Sequence, residues 1–275
     1  MNKNELFKQF KIYTENNICN FPDKKSNLRI LQFNVHNWTD YKNLNSTDKI
    51  FKLIKDSNAD IVGLNEGLFF SEFKKNKIKE YIKIIGYDHY CESNTLYGIN
   101  LLFSKYPIVS KQIIKLQKDP VKSQNRYATK ATINVQNKNI NILLTHLDVY
   151  DETEETRFNQ IQLIMKNIDQ SYILIGDLNS LRKSDYDEKE WDFLKNDCES
   201  RNIQIQNKVT TFIENQNFID VFCKINKNVP KVSVWSMRRV DYCYIGETFP
   251  YKIFNCGIYP TLVSDHYPIY VDIEI

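Results

Sequence analysis

Residues 172–179 read YILIGDLN: an apolar run, Tyr172 to Ile175, closed by Gly176, Asp177, Leu178 and Asn179. Such a run is a short core strand that breaks into a turn, and a carboxylate stands at the break. Just upstream, DETEETRFNQIQLIMKNI (151–168) is the clearest helical pattern in the chain. Phe158, Ile161, Ile164, Met165 and Ile168 recur at helical spacing, and acids crowd the first turn, where the helix dipole favours them. Before it, ATKATINV (128–135) and NINILLTHL (139–147) read as strands, with KNIN (138–141) as the hairpin loop between them.

Further out the alternation continues. LRILQFNV (28–35) is a strand that breaks into the polar HNWTD. A helix follows over 47–56, capped by Ser46 or Thr47, with Ile50, Phe51, Leu53 and Ile54 on one face. DIVGLNE (60–66) is a short apolar run ending in a carboxylate. A helix over 72–85 stops before Gly86. HYCES, GINLLFS and SKQIIKL are short β-rich segments. Residues 186–203 and 211–218 carry helical signals, TFIE (211–214) fits a capping box, and the chain closes with RRVDYCYI, a connecting stretch and the strand PIYVDIEI. Strands and helices alternate in each half, with several hairpins, which predicts mixed sheets in one domain over 28–275. Residues 1–27 form a polar, partly helical lead-in.

The bulk numbers narrow the class. A formal charge of +3 and a pI near 8.3 give weak support to a polyanionic partner and exclude the strong basic footprint of a DNA-coating protein. Six cysteines show no CxxC pair and no zinc spacing, so free, mostly buried thiols in a reducing compartment are expected. The N-terminus has no apolar signal region and no stretch is long enough to span a bilayer, so an intracellular monomer is expected. Sequons at Asn37 and Asn45 are read as chance in an Asn-rich chain.

The polar residues at the ends of the apolar runs carry the chemistry. Asn34 ends the first strand, Glu66 ends DIVGLNE, His146 ends NILLTHL with Asp148 just after, and Asp177 and Asn179 end YILIGDLN. Asp241 lies inside RRVDYCYI, and Asp265 and His266 precede the last strand. Each alone has an ordinary reading as a turn residue, a surface acid or a satisfied core histidine. Together they match what phosphodiester hydrolysis requires. Glu66 is the candidate ligand of a hard cation. Asp177 is the candidate base for water. Asn179, on the same side if the strand continues, is the candidate amide donor to the phosphate oxygens. His266, held charged by Asp241, is the candidate donor to developing charge.

With these residues named, the chain resembles the endonuclease/exonuclease/phosphatase superfamily, which includes DNase I-like nucleases. The motifs are FNV with Asn34, LNE with Glu66, THLD with His146, GDLN with Asp177 and Asn179, RRVDY with Asp241, and SDH with Asp265 and His266, in the family's order over residues 28–275. The resemblance implies an α/β (α+β) four-layer sandwich, two packed mixed β-sheets flanked by helices, with the site at one end. It implies Mg²⁺ or Mn²⁺ near Asn34 and Glu66 with Asp265 close by, Asp177 activating water with Asn179 assisting, the pair Asp241–His266 stabilising the transition state, and His146 contacting the phosphate. Asn65 departs from the family's usual Gln before the metal Glu, and Arg126 or Tyr127 would fill a family Tyr or Arg position, with Arg126 as a candidate phosphate contact set against an ordinary exposed strand residue.

Three functional readings follow. The first is a nucleic-acid phosphodiesterase, a nuclease or an end-processing enzyme, with Trp38, Tyr127 and Trp235 as candidate base-stacking rings. The second keeps the fold and changes the substrate to an inositol phosphate or sphingomyelin. The third is a binding protein that has lost catalysis, which the presence of every central acid argues against.

Overall fold

The computed structural model describes residues 3–69, 71–93, 100–118, 125–227 and 231–275. LRILQFN forms β1 (Leu28–Asn34) and IVGLN forms β2 (Ile61–Asn65), paired in parallel, and every residue of both is buried. With β3 (His89–Glu92), β4 (Leu101–Ser104), β11 (Lys252–Ile258) and β12 (Ile269–Glu274) they make a six-stranded sheet in the order β11-β12-β1-β2-β4-β3. The second sheet, β5-β6-β7-β8-β10-β9, comprises β5 (Ile108–Lys115), β6 (Tyr127–Val135), β7 (Lys138–His146), β8 (Tyr172–Asp177), β9 (Phe218–Asp220) and β10 (Asp241–Gly246). Its one parallel pair is β7–β8. Both sheets are mixed, as expected.

Period-two alternation assigns each strand's side chains to two different layers. Ile30 and Ile61 of the first sheet meet Ile142, Leu144, Ile173 and Ile175 of the second in the central core. Their neighbours Leu31, Phe33, Val62 and Leu64 face outward, onto helices α2 (Thr47–Asp56) and α3 (Glu72–Ile84). On the far side Leu143, Leu174, Tyr242 and Tyr244 pack on α4 (Glu155–Met165) and α6 (Lys208–Asn215). The result is the four-layer sandwich that the resemblance implied. Helix α1 (Lys3–Asn17) lies on its surface, with Phe10 buried and stacked on Tyr267 at 4.8 Å between ring centres. Among the described residues no helix is long and apolar enough to cross a membrane. All six cysteines are free, four of them buried.

Local readings are corrected in four places. The β6–β7 hairpin turns at Gln136 and Asn137, with φ of 50° and 66°, and KNIN opens β7 instead of forming the loop. Two consecutive left-handed residues match the right-handed twist of the strands they join. TFIE lies inside α6, while the capping box belongs to Asp187 and Glu190 at the start of α5 (Glu188–Ser200). The stretch read as a connection before the last strand is β11, which pairs with β12 along its length. The acids before α4 do more than favour a dipole. Asp151 accepts from the N–H groups of Thr153 and Thr156, and Glu154 turns inward to Ser180 and the N–H of Lys208. Finally, Gly98 and Ile99 of GINLLFS lie outside the described residues.

Candidate active site

The carboxyl ends of the central strands meet at one edge of the sandwich. Asn34 and Asn65 are register partners at the ends of β1 and β2. Across the gap, Asp177 at the end of β8 is paired with both His146 of β7 and Asp241 of β10. Gly176 makes this possible. Its φ is +149°, and a Cβ there would lie 1.9 Å from the carbonyl oxygen of Thr145, so only glycine fits and the adjacent aspartate is delivered in register. The chain leaves β1, β2 and β8 through left-handed residues: His36, Asn37 and Trp38 (φ 43°, 55° and 67°), Glu66 (φ 55°) and Asn179 (φ 48°). Backbone of this kind is costly for non-glycine residues and is held here by the surrounding bonds, such as Asn37 N–H to the Glu66 carbonyl at 3.1 Å.

Side chains then knit the two sheets together. The Asn34 amide NH₂ donates to Glu66 Oε1 at 3.1 Å and to Asp177 Oδ2 at 3.0 Å, while its oxygen accepts from His36 N–H. His146 Nε2 lies 3.8 Å from Glu66 Oε1 and 3.7 Å from Asp177 Oδ2. His266 Nδ1 meets Asp241 Oδ2 at 2.8 Å, and its Nε2 is 3.8 Å from Asp177 Oδ2. Ser233 also donates to Asp241 Oδ2, and Ser264 donates to the Asn34 carbonyl, which ties the SDH loop to the end of β1. The Glu66 side chain is 25% exposed against 2% for Asp177, so Glu66 faces solvent and Asp177 forms the floor.

Protonation follows from these neighbours. Burial, reinforced by Asp241 and Glu66 and opposed by His266 and Asn34, pushes the Asp177 carboxyl up to about 7. Burial alone would push His266 down. The contact with Asp241, with Asp265 and Asp177 adding, outweighs it and holds the imidazole charged, well above its usual range. His146 goes the other way: burial, then Arg126 and His266, hold it well below that range and neutral. Asp177, Asp241 and His266 have atoms within 4.8 Å of one another, a spacing that fits a metal site. A charged imidazole has no free lone pair, however, so this trio is an imidazolium between two carboxylates.

All the predicted catalytic side chains except Asn179 are gathered by these contacts. The strand stops at Asp177, so Asn179 is not on a continuing strand face. Its N–H donates to Asp177 Oδ1 at 3.0 Å and its side chain reaches the Leu147 carbonyl at 3.3 Å. Asp265 lies 3.6 Å from His36 Nδ1, and its Oδ1 is buried without a hydrogen-bond partner. Arg126 is buried behind His146, with Nη1 3.3 Å from His146 Nδ1. Tyr127 is half-buried at the start of β6. Trp235 is half-buried and stacks on Phe7 of α1 at 4.7 Å, while its backbone N–H donates to the Asp265 carbonyl. Trp38 is wholly buried, stacked on Phe51 and bonded through Nε1 to the Leu68 carbonyl, so it is a core residue and not a stacking platform.

Several contributors escaped the sequence reading. Gln32 reaches from β1 to both Asn65 Oδ1 and Asp241 Oδ1. Asn37, read as part of a chance sequon, directs its amide at Glu66 Oε2 at 3.4 Å. Asn65, noted only as a departure, is the clasp between the sheets. It donates to the Thr145 carbonyl and to Asn100, and accepts from Gln32 and from Asp177 N–H. A polar Gln at an otherwise apolar strand position was the available signal for the first.

A family model described as the C-terminal nuclease-like domain of PGAP2IP matches residues 26–209. No curated protein sequence matches the chain. Among solved structures, an endonuclease/exonuclease/phosphatase from Beutenbergia cavernae is similar at 16% identity and a TM-score of 0.71, over 90% of this chain and 71% of that one. A mannosyl-6-phosphatase from Bacteroides thetaiotaomicron is similar at 14% identity and 0.67, over 90% of this chain and all of the other. TDP2 from D. rerio, in complex with a single-stranded DNA product, is similar at 18% identity and 0.62, over 90% and 99%.

Proposed function

Since the chain belongs to the family of PGAP2IP C-terminal nuclease-like domains, within the endonuclease/exonuclease/phosphatase superfamily, we propose that it is a divalent-cation-dependent phosphoesterase that hydrolyses phosphodiesters, with nucleic acid as the leading substrate. One observation carries the reading. A single amide, Asn34, bridges Glu66 and Asp177, while the imidazolium of His266 and the neutral imidazole of His146 face the same Asp177 oxygen.

The donor set fits a hard cation. Two carboxylate oxygens share one amide nitrogen, and Asp265 Oδ1 is buried without a hydrogen bond, with His36 Nδ1 3.6 Å away, so acceptors exceed donors. Glu66, with Asp265, would hold Mg²⁺ or Mn²⁺. The Asn34 oxygen accepts from His36 N–H and keeps a second lone pair, so Asn34 would link the carboxylates through its nitrogen and could still offer its oxygen to the cation. A bound cation would supply neutralisation of phosphate charge and stabilisation of the leaving oxygen.

The chain's own groups do the rest. Asp177 takes a proton from the attacking water, whose oxygen bonds to phosphorus as the ester P–O bond breaks. Asn179 N–H steadies Asp177 Oδ1, leaving Oδ2 for that proton. His266, oriented by Asp241, donates from Nε2 to a phosphate oxygen, and His146 Nε2–H donates to another. Tyr127, at the start of β6, and Trp235, bonded through its backbone to Asp265, are the substrate-flanking candidates. Nucleic acid is favoured by the mild basicity and by the fold shared with TDP2, and a phosphomonoester sugar is the competing class, given the fold shared with the mannosyl-6-phosphatase.

The test is turnover of bis(p-nitrophenyl) phosphate, single- and double-stranded DNA, RNA, 5′-tyrosyl DNA, inositol phosphates, sphingomyelin and mannose 6-phosphate, with Mg²⁺ and with chelator. Phosphodiester turnover that disappears in chelator is expected. Turnover of phosphomonoesters alone, or rates indifferent to chelator, would overturn the assignment.

A further inference from the structure

We propose that Arg126 is a positioning residue that fixes which nitrogen of His146 carries the proton, so that a neutral imidazole presents Nε2–H to the phosphate. The proposal rests on the phosphoesterase reading for its catalytic meaning but not for its structural content. Arg126 Nη1 lies 3.3 Å from His146 Nδ1, and both residues are buried. A guanidinium carries only donors and keeps its proton, so the Nδ1 it faces must be the acceptor. A neutral ring that accepts at Nδ1 carries its hydrogen on Nε2. That nitrogen is the one 3.8 Å from Glu66 Oε1 and 3.7 Å from Asp177 Oδ2, on the side where the carboxylates converge.

The opposite tautomer would set two donors against each other in a buried space, which disfavours it. The backbone holds the arrangement in place. The Arg126 carbonyl accepts from Leu116 N–H at 2.9 Å, and β6 pairs with β7 with Ala128 opposite Thr145, which sets Arg126 alongside the end of β7. The other histidine of the site has the reverse design: His266 Nδ1 faces a carboxylate, not a guanidinium. The site thus holds one neutral and one charged imidazole donor, assigned by opposite partners at the same ring position.

The experiment is ¹⁵N NMR of histidine-labelled protein in chelator, combined with kinetics on bis(p-nitrophenyl) phosphate. The chain has four histidines, so the His146 ring is identified by its loss in His146→Gln. The parent is expected to show the Nε2–H tautomer. Arg126→Lys, which also offers only donors, should keep it, whereas Arg126→Met should lose it. In parallel kcat should fall roughly 10–100-fold in Arg126→Met and recover largely in Arg126→Lys. A folded Arg126→Met that keeps the Nε2–H ring would overturn the proposal. So would a parent ring that is charged or protonated on Nδ1, whatever any variant does. A kcat loss that Lys does not rescue, with the tautomer unchanged throughout, would overturn it in favour of direct phosphate contact. An inactive parent whose tautomer still depends on Arg126 would support the positioning role while removing the phosphoesterase reading.

Discussion

Two buried clusters of charge border β10, and they are built on opposite plans. Just ahead of the strand, Arg239 contacts Asp185 and Asp220, each at 2.6 Å, and Arg182 and Lys231 close on Asp185, with Arg182 also held by Glu214. Three cations meet three carboxylates. At the first residue of the strand, Asp241 joins Asp177, Glu66 and Asp265, and these four carboxylates share His266 and the more remote Arg126, with neutral amides between them. Burial is similar in both places. The balanced cluster matches its charges within the chain and holds loops to the sheet. The unbalanced one leaves acceptors facing each other, which costs stability and suits a ligand that brings positive charge.

Substitution of Asp177 is the sharpest way to test that contrast. Asp177→Asn should lower kcat/KM by roughly 10²–10⁴-fold, because the group taking the proton is gone. In chelator the same variant should melt at or above the parent's temperature, since one of several facing like charges is removed. A loss of stability above about 2 kcal/mol, read by denaturant titration, would mean that the carboxylate is structural after all.

On the balanced side the expected effect is on folding alone. Arg239→Met takes the nearest cation from both Asp185 and Asp220, leaving the buried pair to Arg182 and Lys231 alone, and should cost about 3–5 kcal/mol. Turnover per folded molecule should be unchanged. A cost under about 1 kcal/mol would erase the distinction between the clusters.

The smallest effect is in pH. Burial would raise the Asp185 carboxyl, but Arg239, with Lys231 and Arg182, prevails and holds it below its ordinary value. A depressed folded pKa contributes stability that is present above the unfolded value of 3.8 and lost as pH falls through the folded one. Asp185→Asn should therefore be less stable at neutral pH and show a flatter decline of melting temperature as pH falls below 3.8. Parallel curves for variant and parent would remove Asp185 from the acid response.

Much of the site was legible because its residues interrupt apolar runs. Asn34, Glu66, His146 and Asp177 each end a strand in the sequence, and a polar group at the end of a buried strand needs a partner or a task. Their order, with Asp241 and the SDH loop, sufficed for the family and so for the two-sheet fold. Roles were less visible. Arg126 was read as a possible phosphate contact and lies behind His146, and Trp38 was read as a stacking ring and lies in the core.

By itself, the sequence determined most of the strands and helices and the list of titratable groups, because hydrophobic periodicity and turn chemistry are local; β9 and β11 were not among them. Only the tertiary structure decided which carboxylates face each other, that Asn65 clasps the two sheets, and that one imidazole is neutral while the other is charged. Those outcomes depend on partners delivered by β-pairing from segments far apart in the chain; Gln32 and Asp241, for one, are separated by 209 residues. Charge interactions depend on distance and burial, and no pattern along the chain encodes either.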